Sequence, residues 1–221
     1  MPSSVVCISR TDGALAEPIA HAVARQLDYH YVDEEIVQRA AEKAHVDPET
    51  IMDVERRKSF VRRLLDGLPS TAVIADPFKG ITGPSIGLEE VTLLAPRTMK
   101  ADARDVIRAV IGEFAHEGRV VIVAHAASMA LKGMAGVLRV LITASPTVRA
   151  GRVSHGGKLL EPSAAAAAIR ESDRNRQDYL RRFYDVEREE PTHYDLVINT
   201  DVLTPQQAAA IVCDAARTIA V

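Results

Sequence analysis

Tryptophan is absent from the 221 residues and aromatic side chains make up only 4% of them. That disfavours the stacked aromatic platforms on which single-stranded nucleic acids are held. A basic excess is lacking too: 27 lysines and arginines face 30 aspartates and glutamates, a formal net charge of −3. Nothing in that balance points to nucleic acid, so no such partner is expected. The one concentrated basic stretch, Arg56 to Arg63, reads equally as a solvated helix face or a partner contact. Only two cysteines occur, Cys7 and Cys213, far from each other and from any metal or redox spacing. They read as small buried hydrophobes in a reducing compartment. The seven histidines show no ligand spacing, so no metal ligand set is expected. No serine carries the glycine pattern of a nucleophile elbow. No apolar run approaches the ~20 residues of a membrane span, and the N-terminus reads without a signal peptide; the expectation is a cytoplasmic protein with no membrane contact.

What is present is an ordinary globular composition, 47% hydrophobic and 26% charged, in a length suited to one α/β domain over residues 1–221. The segment that organises the rest is Val5 to Leu27. A short apolar run, Val5 to Ile8, passes through a polar turn into a helix with Ile19, Val23 and Leu27 on one face. A buried strand feeding a tight turn and a helix N-terminus presents unpaired N–H groups to an anion, the opening of a phosphate-binding α/β domain. The turn, however, holds a single glycine, Gly13, and then Ala14, Leu15 and Ala16. A phosphate cradle needs several glycines and a basic side chain. Here the basic position is taken by Glu17, and Pro18 removes a backbone donor. On residues alone the segment reads equally as a strand, turn and helix without a ligand.

The remaining strands are expected at Tyr29–Val32, Val120–Val123, Val137–Ile142 and Leu196–Ile198, several of them continuous apolar runs typical of strands buried on both faces. Helices are expected from Asp33, from the Asp47-Pro48 cap, over Met99–Glu117, over Ser163–Asp185 and over Thr204–Ala220. Five short strands interleaved with helices predict a parallel sheet in a three-layer α/β sandwich. Residues 67–98 break the pattern with repeated glycines and prolines and read as an irregular binding-side insert. A lid is expected around residues 150–162, centred on Ser154-His155-Gly156-Gly157-Lys158.

Taken in order, several pieces resemble the cytidylate kinase-like family of P-loop nucleotide kinases. They are Ile8-Ser9-Arg10 before the loop, Tyr31-Val32-Asp33-Glu34-Glu35-Ile36 after the second strand, and Val121-Ile122-Val123. Arg139-Val140, Arg149-x-x-Arg152-Val153, Asp173-Arg174-x-Arg176-x-x-Tyr179 and Tyr194 to Thr200 complete the set. The resemblance implies a P-loop kinase fold, with ATP and Mg2+ as cofactors and a nucleoside monophosphate such as CMP as acceptor. Two pieces depart from the family pattern. Members usually carry Gly-Ser-Gly-Gly-Arg where this chain has Gly13-Ala14-Leu15-Ala16-Glu17, and Gly-Arg-Gly where it has Ala124-His125-Ala126. Both lie at carboxyl ends of central strands, where open α/β sheets bind ligands. The phosphate loop is therefore degenerate. The expectation is a nucleotide-binding or regulatory protein with little ordinary ATP-dependent kinase activity. An active atypical kinase and a non-catalytic assembly module, self-associating as a homo-oligomer, are the alternatives.

The candidate catalytic residues are Arg149, Arg152, Arg170 and Arg174, since arginines at the lid and the helix after it neutralise a transferred phosphoryl group in nucleotide kinases. Arg170, Arg174 and Arg181 share one helix stripe, although interleaved Glu171, Asp173 and Asp178 would also pair with them locally. Candidate phosphate- or nucleotide-binding residues are Arg10, Gly13, Asp33, His125 and Arg176. Arg10 either turns toward an anion or pairs with Asp12 or Glu17. Asp33 either orients a sugar or a metal-bound water or caps the next helix. His125 either contacts a phosphate or is structural.

Overall fold

Val5–Arg10 forms strand β1, buried along all but its last residue. In the computed structural model, which describes residues 3–48, 51, 97–123, 126–155 and 161–219, this strand is the centre of a five-stranded sheet. Strands β2 (His30–Val32), β3 (Val120–Val123), β4 (Val137–Thr143) and β5 (Leu196–Asn199) join it in the order β2-β3-β1-β4-β5. All four pairings are parallel, with Val5 opposite both Val120 and Val137. The α/β sandwich read from the apolar runs is the observed architecture.

Alternate side chains of one strand point to opposite faces, so β1 feeds two cores. Val6 and Ile8 pack with Ile19 and Val23 of helix α1 (Ala16–Leu27) and with Val212 and Cys213 of the last helix, Pro205–Thr218. Val5 and Cys7 pack on the other side with Ile36 of helix α2 (Glu35–Ala44) and with Ile111 and Phe114 of helix α3 (Arg97–Glu117). Burial on both faces explains why the strand reads as an unbroken apolar run. At the β4–β5 edge Arg139 binds Asp195 through Nε at 3.0 Å and Nη2 at 2.6 Å, and its backbone N–H donates to the same carboxylate at 2.9 Å. Burial works against the Asp195 charge, but those bonds hold its carboxyl below the usual range.

Two further helices follow β3 and β4, α4 (Ala127–Ala130) and α5 (Pro146–His155). Neither was anticipated as a separate element: the first is four residues long, and the second carries too few large apolar residues to show a stripe. Helix α6 (Pro162–Tyr184) packs on α5 through Val153, Ala165, Ala168 and Ile169, where small alanines allow close approach. The last helix is α7, capped by the Thr204 hydroxyl, which accepts from the Gln207 N–H at 3.3 Å. Of the expected lid at 150–162, only the two flanks lie among the described residues. Residues 150–155 complete α5, residue 162 opens α6, and residues 156–160 lie outside the described residues. Most of the 67–98 insert, the Arg56–Arg63 stretch and His125 also lie outside them.

Cys7 has no exposed surface and Cys213 1%. Burial pushes the Cys7 thiol up to about 12 and raises that of Cys213. Neither thiol is expected to react with Ellman's reagent in the native protein, and both to react in guanidinium. Labelling of the native protein within seconds would contradict this packing.

Candidate functional site

The turn from β1 to α1 lies at the carboxyl end of the sheet's central strand, where parallel sheets present ligand sites. It is tight: the Ala14 N–H donates to Thr11 O at 3.1 Å, and the Thr11 N–H to Ile142 O at 3.3 Å. Gly13 has φ +79°, and a Cβ added there would lie 2.8 Å from the Arg149 carbonyl oxygen. Both the left-handed backbone and the close approach of α5 demand glycine. Leu15 at the helix N-cap also takes a left-handed conformation, φ 64°, with no side-chain cap bond. Leu15 carries a side chain that disfavours this conformation, so the backbone is strained there.

Three consecutive carbonyls of this turn are held by side chains from elsewhere. Asp12 O accepts from Arg149 Nη1 at 3.3 Å, Gly13 O from Arg152 Nη1 at 3.2 Å, and Ala14 O from Thr200 Oγ1 at 3.0 Å. Arg152 Nη1 also donates to Thr200 Oγ1 at 3.0 Å, which ties the second and third of these together. Arg149 is 3% exposed and donates both Nη atoms to the Asp173 carboxylate, at 2.8 and 2.6 Å. Ser172 Oγ donates to Asp12 Oδ2 at 2.7 Å. The turn is thereby fastened to α5, to α6 and to the end of β5.

Arg10, the remaining cation at the loop, pairs with Glu17 in the first turn of α1. Glu17 is 61% exposed, so the pair adds little to stability. Arg176 forms a fork with Glu189, Nε to Oε2 at 2.8 Å and Nη2 to Oε1 at 2.6 Å. Tyr194 Oη donates to Glu189 Oε1 and accepts from Arg176 Nη2 at 3.3 Å. Burial works against the Glu189 charge, but the Arg176 bonds and charge outweigh it and hold the carboxyl below its ordinary 4.5. Burial first, reinforced by the Glu189 carboxylate against the opposing Arg176, pushes the Tyr194 phenol up to about 12.

A cavity of about 180 Å³ opens between the turn and α6. Ser9, Thr11 and Ser172 bring hydroxyls to it, Asp12 and Asp173 carboxylates, and Arg10 and Arg176 guanidinium groups, with Ala126 as the apolar wall. A second cavity of about 400 Å³ lies beyond Glu17, lined by His21, Tyr31, Asp33, Glu34 and Glu35 as well. There Tyr31 stacks on His21 with centroids 3.9 Å apart and donates to Asp33 Oδ2 at 3.3 Å. Asp33 precedes Glu34, the N-cap of α2, and sits among carboxylates rather than beside the arginines.

The structure thus brings together Arg10, Gly13, Arg149, Arg152 and Arg176 around the turn. Arg170 and Arg174 stay out of it. Both are exposed on α6, and Arg174 pairs with Glu171 at 3.4 Å. Sequence reasoning missed Ser172, Glu189, Tyr194 and Thr200. Among the described residues no group of three or more His, Cys, Asp or Glu is arranged to hold a metal ion, and no helix is long and apolar enough to cross a membrane.

The Glu189 carboxyl is lowered on folding, so its stabilising charge is fully present above 4.5 and is lost as pH falls through the folded-state value below it. Glu189→Gln leaves the Arg176 guanidinium without its counter-charge and is expected to cost about 3 kcal/mol at neutral pH. In urea unfolding the gap between the variant and the unsubstituted protein should shrink as the pH is lowered below 4.5. A gap that is absent at neutral pH, or that widens in acid, would contradict the assignment.

Residues 5–202 match the cytidylate kinase-like family. Among solved structures, an uncharacterized protein from Eubacterium ventriosum superposes with a TM-score of 0.61 at 12% identity, covering 95% of this chain and 96% of that one. A shikimate kinase from Bacteroides thetaiotaomicron gives a TM-score of 0.48 at 13% identity, with 95% and 96% of the two chains covered. A sugar kinase from Janibacter sp. gives 0.49 at 13% identity, with 99% and 100% covered. No curated protein matches the chain. The fold is that of the P-loop-type kinases, and the chain is a member of the cytidylate kinase-like family.

Proposed function

We propose that this protein is a binding or regulatory member of its family, with little ordinary ATP-dependent kinase activity. The observation that carries the reading is the Arg10–Glu17 pair in the first turn of α1. A triphosphate approaching this turn meets a carboxylate in place of a cation. That repulsion opposes binding of the phosphates at the start of α1.

The other guanidinium groups offer no replacement. Arg149 is engaged with Asp173 and the Asp12 carbonyl, Arg152 with Thr200 and the Gly13 carbonyl, and Arg176 with Glu189. Releasing Arg149 would leave Asp173 and a turn carbonyl without that donor, a further cost set against binding. The residues present therefore fit a Mg-ATP phosphate chain poorly, and no phosphoryl-transfer step is derived through it. A nucleotide bound through groups other than its phosphates remains compatible with the site, as does regulation of a partner by the ligand-bound form.

Isothermal titration with Mg-ATP should show no binding at micromolar concentrations, and coupled assays with CMP, dCMP or UMP no turnover above background. Micromolar binding would overturn the reading and point instead to an atypical kinase working through Arg10, Arg149 and Arg152.

A further inference from the structure

Residues 185–194 join the end of α6 to β5 and lie back against α6 as a strap. One side chain of α6 holds much of its backbone. Gln177 Nε2 donates to Val186 O at 3.0 Å and to Glu187 O at 2.7 Å, and Gln177 Oε1 accepts from the Glu189 N–H at 3.3 Å. The strap in turn brings Glu189 and Tyr194 onto Arg176. Its closing turn, Pro191–His193, sits immediately before Tyr194.

That turn is capped by a histidine ring. The Glu190 N–H donates to His193 Nδ1 at 3.2 Å, while the His193 N–H donates to Glu190 O at 3.0 Å and the Tyr194 N–H to Pro191 O at 3.1 Å. A backbone N–H can only donate, so Nδ1 is the unprotonated nitrogen and the ring is neutral in this arrangement. Protonation places a hydrogen on Nδ1 and sets two donors face to face, which removes the cap.

Histidine is the side-chain type that ordinarily changes charge between about pH 5 and 8, and His193 is the strap's one histidine. The other contacts keep their charge state in that range. The Gln177 amide does not titrate, the Glu189 carboxyl lies below its ordinary 4.5, and the Tyr194 phenol is pushed up to about 12. Several charges bear on the ring. The carboxylates of Glu189 and Glu190 favour its protonation, and the Glu190 N–H opposes it. Both carboxylates are themselves paired, Glu189 with Arg176 of α6 and Glu190 with Arg188 at 3.7 Å. Asp195, two residues on, is bound by Arg139 of β4.

We propose that His193 is a proton-sensitive latch on the strap. When neutral it caps the turn and keeps Glu189 and Tyr194 on Arg176; when protonated it frees the turn and loosens the strap from α6. Acid would thereby unpair a crevice arginine through a group that does not itself touch it. The latch does not depend on whether the phosphate turn binds nucleotide.

The test is residue-resolved hydrogen exchange of the full chain by NMR, at about pH 7.5 and about pH 5.5, with rates corrected for the intrinsic effect of pH. Protection of the Glu189 and Glu190 amides should fall about tenfold on acidification, the loss of roughly one hydrogen bond. His193→Gln supplies an amide oxygen that can cap the same N–H without titrating, and its protection should not change between the two conditions. A long-range nitrogen spectrum at the higher pH should show His193 Nδ1 unprotonated. Unchanged protection in the unsubstituted protein, an equal loss in His193→Gln, or a hydrogen on Nδ1 at the higher pH would each overturn the proposal.

Discussion

The conformation of the β1–α1 turn depends on three hydrogen bonds made from outside it, by Arg149, Arg152 and Thr200 to the carbonyls of Asp12, Gly13 and Ala14. Without them the turn would have no evident reason to keep Leu15 in a left-handed conformation that disfavours branched side chains. They also decide where the crevice arginines go. Arg149 is buried and reaches its carbonyl and Asp173 at once, so the position of α6 and the shape of the turn are fixed together. The retained glycine follows from the same packing. Gly13 is demanded by the closeness of the Arg149 backbone, a reason independent of any ligand.

From that constraint the electrostatics of the crevice follow. A kinase of this fold needs cations free to follow charge as it moves to a transferred phosphoryl group. Here the cations at the crevice are matched one by one with carboxylates or carbonyls, in geometries that include two-pronged contacts at Arg149 and Arg176. Such pairs are strong and directional, and they resist being traded for a solvated anion. The fold is that of the family, and the groups at the carboxyl ends of its central strands bind one another. What the crevice keeps is a small polar cavity whose walls are set by the same bonds.

Much of the fold was legible in the sequence because strands buried on both faces must be apolar throughout, and β1, β3 and β4 are. The order of those strands in the sheet was not legible, since no local pattern encodes which strands are neighbours. Glu17 was legible as an acid at the start of the first helix. Its pairing with Arg10 was legible as one alternative, because the two lie within a strand end and one helical turn. Glu189 was not legible: it sits in the acidic run Glu187 to Glu190, and only the tertiary fold tells it from its exposed neighbours. Thr200 lay within a recognised motif, yet its role needs the return of β5 to a turn 186 positions away. Arg170 and Arg174 looked equivalent to Arg176 by composition. The helix phase turns them outward and Arg176 inward, beside Tyr194.

The most direct test of this account is a crystal structure of the full chain grown with a non-hydrolysable ATP analogue and magnesium. The account predicts an unaltered turn, with Arg149 on the Asp12 carbonyl and Asp173, Arg152 on the Gly13 carbonyl, Glu17 still paired with Arg10, and no phosphate density against residues 13–17. Ordered β- and γ-phosphates at the start of α1, with Arg149 or Arg152 turned toward them, would contradict it.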